Sequence, residues 1–199
     1  MYAASSLEGM YAEMLQPLKR PEPMLASDLF DDAGSTATVE DLIAHDFAED
    51  DKEAPYEIDL QWLLTQRLYT MLLPATGWLV DAEHSNTVAY LHRNQPAAIR
   101  EQGMRQVTVA ELRGENRIVT THLAEAMARP QLHDDTRPVG LLYGSKHGSD
   151  WDCWAVWLRD GVREAIRVDA GQQVRHPDAN PVLAKVLDNY GLSVPGSLA

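Results

Sequence analysis

Apolar residues recur along this chain at two spacings, and the changes between them mark out the expected elements. Tyr2, Ala3 and Ala4 read as a short strand, and Ser5 with Glu8 three residues later has the form of a capping box that opens a helix. Leu7, Met10, Tyr11, Met14, Leu15 and Leu18 then repeat at three- and four-residue intervals, which puts them on one helical face. Pro17 and Pro21 are expected to stop that helix, because proline lacks the amide donor and crowds the preceding turn. Val39, Leu42, Ile43 and Phe47 have the spacing of a second short helix. Asp59 is placed to cap a third, with Leu60, Leu63, Leu64, Leu68 and Leu72 as its apolar stripe. Residues 78–80 read as a strand ending at Asp81, and Ser85 reads as the cap of a helix running through Leu91. Thr108 with Glu111 is a further capping box, and residues 117–128 form a helix that ends near Pro130.

The last third changes period. Residues 139–143 and 153–158 are short runs rich in apolar, aromatic and β-branched residues, long enough for buried strands and too short for helices. A strand at 165–168 and a helix at 181–189 follow. The expected class is α+β: a single mixed α/β domain with a central, partly antiparallel sheet flanked by helices, assembled in part from strands distant in sequence. Residues 1–160 form its body, and 161–199 are a C-terminal strand and polar tail.

Charge refines this picture. The chain carries a formal net charge of −13, but residues 22–59 hold 13 acidic side chains against Lys52 alone, which leaves the rest of the chain nearly neutral. That segment is expected to be loop-rich and solvated by its own charge. A sequence with no basic stripe does not suit direct nucleic-acid binding. No run of about 18 apolar residues exists, so no membrane span is expected. The N-terminus lacks the pattern of a signal peptide, and Cys153 is the sole cysteine; a cytoplasmic setting is the simplest expectation.

Between the strands at 139–143 and 153–158 lie Ser145, Lys146 and His147, flanked by Gly144 and Gly148. A hydroxyl, a cation and an imidazole are thus held at the mouth of two strands, where glycine permits close approach of a ligand. By pattern alone this is an ordinary hairpin loop. Ser145, His147 and Asp150 do not establish a hydrolase triad, since no Gly-x-Ser-x-Gly elbow accompanies them. His84 and the His133-Asp-Asp135 run lack a metal-ligand spacing, so no metal is expected, and no phosphate-binding glycine motif is present. Periodicity alone likewise makes Glu13 a solvated helix glutamate at the border of the apolar stripe.

Several ordered blocks change that reading. Tyr2, Ala4, Ser6, Ala12 and Glu13 match an opening of the form Tyr-x-Ala-x-Ser followed by Ala-Glu. Residues 140–148 and 153–155 match Gly-(Ile/Leu)-x-Tyr-x-Ser-(Arg/Lys)-(His/Phe)-Gly followed by (Cys/Leu)-Trp-Ala, with Trp62 to Arg67 and Asp81 to Leu91 in order between them. Over residues 1–160 the chain resembles the RES domain family, toxins of toxin–antitoxin pairs that degrade NAD or transfer ADP-ribose to a target. The resemblance implies that Glu13 stabilises the positive charge that builds on the ribose as nicotinamide leaves, and that Ser145 hydrogen-bonds the substrate. It further implies substrate contacts from Tyr2 and Ser6, NAD as substrate and not a retained cofactor, and a protein antitoxin as partner; Lys146, by its position next to Ser145 alone, is a candidate point charge for the diphosphate.

The family name abbreviates an arginine, a glutamate and a serine. Glu13 and Ser145 match the last two, whereas the arginine normally lies on a strand upstream of the opening block, and here that block directly follows Met1. Two readings therefore stand side by side: an enzyme acting on NAD, and an N-terminally truncated, catalytically silent RES-like binding domain.

Overall fold

In the computed structural model, residues 1–31, 36–50 and 56–195 are described. In chain order the elements begin with β1 (Tyr2–Ala4), α1 (Leu7–Leu15), α2 (Val39–Glu49), α3 (Leu60–Thr65), β2 (Arg67–Leu68), β3 (Met71–Leu72) and β4 (Leu79–Asp81). Then come α4 (Ser85–Arg93), α5 (Ala97–Glu101), α6 (Val109–Leu112), α7 (Arg117–Ala128), β5 (Gly140–Gly144) and β6 (Asp152–Val156). The chain continues with α8 (Val162–Ala165), β7 (Arg167–Val168), β8 (Gln172–Gln173) and α9 (Pro181–Tyr190). This is an α+β fold. It packs as two compact units, one made of Met1–Glu13 and Tyr69–Gly171, the other of Met14–Leu68 and the chain from Gln172 onward.

The first unit holds a four-stranded mixed sheet in the order β1-β6-β5-β4, antiparallel except for the parallel β4–β5 pair. Ala4, Cys153 and Tyr143 are register partners across three strands, as are Tyr2, Ala155 and Leu141. Side chains alternate across a sheet, so these six share one face. Away from the β1 edge, where Tyr2 is exposed, that face is covered: Leu141 packs with Leu91, Ile99, Val119, Leu123 and Met127, and Val80, Tyr143 and Ala155 border the same core. Gly140 is required where the strands are closest, since a Cβ there would lie 3.1 Å from the Val156 Cα and closer still to the Ala155 carbonyl. A two-stranded pair, β3 with β7, belongs to the same unit.

At the rim of this sheet the Trp78 indole donates to Asp134 Oδ2 at 2.7 Å, and the Thr136 hydroxyl donates to Oδ1 at 2.6 Å. These donors, Thr136 foremost and then Trp78, hold the Asp134 carboxyl down at about 2. A depressed carboxylate contributes stability above its ordinary value, and that contribution is lost as pH falls through the folded one. The Trp78 indole N–H resonance is therefore expected to titrate with a midpoint near 2, absent in Asp134→Asn; a midpoint at the ordinary aspartate value contradicts the contact.

In the second unit β2 pairs antiparallel with β8, and α9 buries Leu183, Val186, Leu187 and Tyr190. Asn180 caps the start of α9, and Gly191 ends it in the left-handed conformation that favours glycine. Within the acidic stretch, Thr38 and Asp41 form a reciprocal capping box that opens α2, and Leu25 bridges to Thr38. Residues 32–35 and 51–55 of that stretch lie outside the described residues.

Three local expectations are corrected. Helix α3 stops at Thr65 and does not reach Leu72, because the Thr65 hydroxyl and the Gln66 side-chain amide both donate to the Trp62 carbonyl. Trp62 is the acceptor that the Gln66 N–H needs to extend the helix; the backbone turns extended and forms β2 instead. Ser6, not Ser5, caps α1: its hydroxyl accepts from Gly9 N at 3.0 Å, while Ser5 continues the β1–β6 pairing through Asp152. The α4 cap is the His84 imidazole, which accepts from Asn86 N at 3.2 Å, one residue before Ser85.

Candidate functional site

Strand β5 ends at Gly144, and the next residue turns inward. Ser145 N donates to the Trp151 carbonyl at 2.8 Å, so the loop closes on itself, and Ser145 is only 1 % exposed. A buried hydroxyl needs partners. The Ser145 Oγ has two: it donates to Glu13 Oε1 at 2.6 Å and accepts from His147 N at 3.1 Å. Glu13 comes from the last part of α1, so the contact joins positions 132 residues apart. Glu13 as a residue is exposed, yet Oε1 is held against the sheet, where the Cys153 thiol approaches the same oxygen at 3.7 Å. Among the described residues, no hydrogen bond is made to Oε2.

Two contacts fix the loop relative to the helix and the sheet. Trp151 lies between Gly9 of α1 and Gly148: a Cβ on Gly9 would sit 3.1 Å from Trp151 Cβ and Cγ, and one on Gly148 would sit 2.8 Å from the indole ring. Both glycines are there for close approach. On the other side, the Arg113 guanidinium binds Glu83 through both carboxylate oxygens, at 2.7 and 2.5 Å, and Gly144 N donates to Glu83 Oε1 at 3.1 Å. The Arg113 side chain beside Glu83 holds that carboxyl below the usual range, with help from the Gly144 amide. The residue before Ser145 is thereby anchored by a bidentate ion pair.

Burial, then the nearby Glu13 charge, pushes the Cys153 thiol up to about 12. Tyr143 on the same face is raised as well, first by burial and then by Cys153, Glu13 and Tyr2. Cys153 is 1 % exposed and is the chain's sole cysteine. A thiol that is both protonated and enclosed does not react. Dithionitrobenzoate is therefore expected to label the native protein negligibly at pH 8 and to label one thiol per chain in denaturant; rapid stoichiometric labelling of the native form contradicts this placement.

Glu13 and Ser145 are brought into direct contact. Tyr2 lies on the β1 edge of the sheet, on the Cys153 face, and is 80 % exposed. Ser6 caps α1, its hydroxyl oxygen accepting from Gly9 N. Lys146 points to Glu115, with 3.1 Å between Nζ and Oε1. The Ser145 proton is directed at Glu13, and His147 meets the serine through its backbone amide. That arrangement is not a serine–histidine pair. Among the described residues, no group of three His, Cys, Asp or Glu side chains is set to hold a metal ion.

Sequence reasoning missed Glu83, Arg113, Gly9 and Trp151. A glycine inside a helix was the one available signal, since such a residue costs about 1 kcal/mol relative to alanine and calls for a packing reason. Glu83 and Arg113 sit 30 residues apart with no periodic relation to each other. No family model, curated protein or solved structure matches this chain.

Proposed function

We propose that the protein acts on NAD in the manner of the RES proteins its sequence resembles, by breaking the bond between nicotinamide and ribose. The observation that supports this most is the 2.6 Å contact between Glu13 and Ser145, the two positions that match the family's glutamate and serine. As the C1′–N bond breaks, its electron pair leaves with nicotinamide and positive charge develops on the ribose. A fixed carboxylate beside C1′ stabilises that charge without having to reorganise. In this reading Glu13 Oε2 faces the ribose, Ser145 holds Oε1, and the exposed Tyr2 ring offers a flat face for a base. The Glu83–Arg113 pair keeps the serine loop in register, which catalysis by positioning requires. The open cation C1′ is then taken by water, phosphate or an acceptor side chain. A protein antitoxin that blocks this site belongs to the same proposal, as does a cytoplasmic location. Among the described residues no helix is long and apolar enough to cross a membrane.

The test is to incubate the purified chain with NAD and to resolve the products by chromatography. Nicotinamide with ADP-ribose identifies hydrolysis, nicotinamide with a phosphorylated ADP-ribose identifies phosphorolysis, and labelled protein identifies transfer. NAD bound by calorimetry but never cleaved favours the silent binding domain, and neither binding nor cleavage contradicts both readings.

A further inference from the structure

We infer that Cys153 is a positioning residue for Glu13, its thiol and the Ser145 hydroxyl converging on Oε1 so that Oε2 is the working oxygen. The inference rests on the proposed role of Glu13 and adds to it a residue with no assigned chemistry. Three side chains from three separate elements meet at one atom. Ser145 leaves β5, Cys153 lies in β6 and Glu13 in α1, with 2.6 Å from the hydroxyl and 3.7 Å from the sulfur to Oε1. The two donors are each 1 % exposed, whereas the glutamate residue is open to solvent. The carboxylate is therefore gripped from the protein side and free on the other.

The strand register explains why sulfur occupies this position. Cys153 is the register partner of Ala4 on one side and of Tyr143 on the other, so it projects from the covered face between a small and a large side chain. A thiol is a weak donor. It has a longer reach than a hydroxyl and remains protonated where a stronger acid would ionise and repel Glu13. A carboxylate held by one donor can still swing about that bond; a second donor on the same oxygen restricts the rotation and sets the plane of the group. Positioning of this kind acts on the chemical step and not on substrate affinity.

The S–H stretching band in infrared spectra reads the contact directly, in a window free of other protein bands. The single cysteine makes its assignment unambiguous. In the wild-type protein the band is expected at the lowered frequency of a hydrogen-bonded thiol, and Glu13→Ala, at an exposed position, is expected to shift it upward. An unshifted band in Glu13→Ala overturns the inference whatever the protein does to NAD. A shifted band without NAD turnover sustains the contact and sets aside the NAD reading alone. With turnover, Cys153→Ala is expected to lower kcat about tenfold at unchanged KM, the size of one charge-directed hydrogen bond. Cys153→Ser, which keeps a donor but falls short of the reach of sulfur, is expected to recover only part of that loss. Equal loss in both variants, or a change confined to KM, overturns the positioning role.

Discussion

Replacing Glu13 by glutamine is expected to slow nicotinamide release by about 100- to 1,000-fold while the protein stays folded, as for removal of one preorganised electrostatic contact. Glutamine retains the shape of the side chain and an oxygen for Ser145, but it carries no charge to set against the developing ribosyl cation. The exposed position of the residue, and the oxygen that glutamine still offers the buried Ser145 hydroxyl, support that expectation. Circular dichroism and thermal melting should match the wild type. A Glu13→Gln protein that turns over NAD within threefold of wild type shows that the carboxylate charge is not used.

The next largest effect is expected from Trp151, through the glycines on either side of it. Gly148→Val places a branched side chain where even a Cβ would be 2.8 Å from the indole, and Gly9→Val does so from the helix side at 3.1 Å. Packed interiors do not absorb such volume freely, and overpacking costs typically 1–3 kcal/mol. Moving Trp151 disturbs the Ser145 N–H bond to its carbonyl and hence the hydroxyl aimed at Glu13. Both variants are expected to lose more than tenfold in nicotinamide release, since a displacement of about 1 Å can cost 100-fold in catalysis. Gly103→Ala supplies the control, because a Cβ there meets nothing within 4 Å, although its positive φ strains the backbone locally. Wild-type activity in Gly148→Val shows that the loop is not held through Trp151.

The sequence carried the elements well where one residue type settles local geometry. Thr108 and Glu111 form the expected reciprocal cap, and the helix of residues 117–128 has the predicted limits. The apolar runs around residues 139–158 became β5 and β6, each offset by one or two residues. Errors arose where a side chain competed with the backbone. At Trp62 a hydroxyl and an amide took a carbonyl that periodicity assigned to the helix. At Ser5 the sheet extended one residue further than a capping pattern can reveal. The site followed the same division. Glu13 and Ser145 stand out through the matched blocks, whereas periodicity makes Glu13 a solvated residue and gives no reason to join it to a loop 132 residues away. Nor does linear spacing encode the Glu83–Arg113 clamp or the wedge of Trp151, both of which are products of tertiary packing.

The central claim is that Glu13 and Ser145 act as one unit on the nicotinamide–ribose bond. A double-mutant cycle on nicotinamide release, with Glu13→Gln, Ser145→Ala and the pair, tests it most directly. Groups that work through one contact are strongly non-additive, so the double variant is predicted to be no slower than Glu13→Gln alone. Losses that multiply in the double variant, or wild-type protein that releases no nicotinamide at all, would contradict the account.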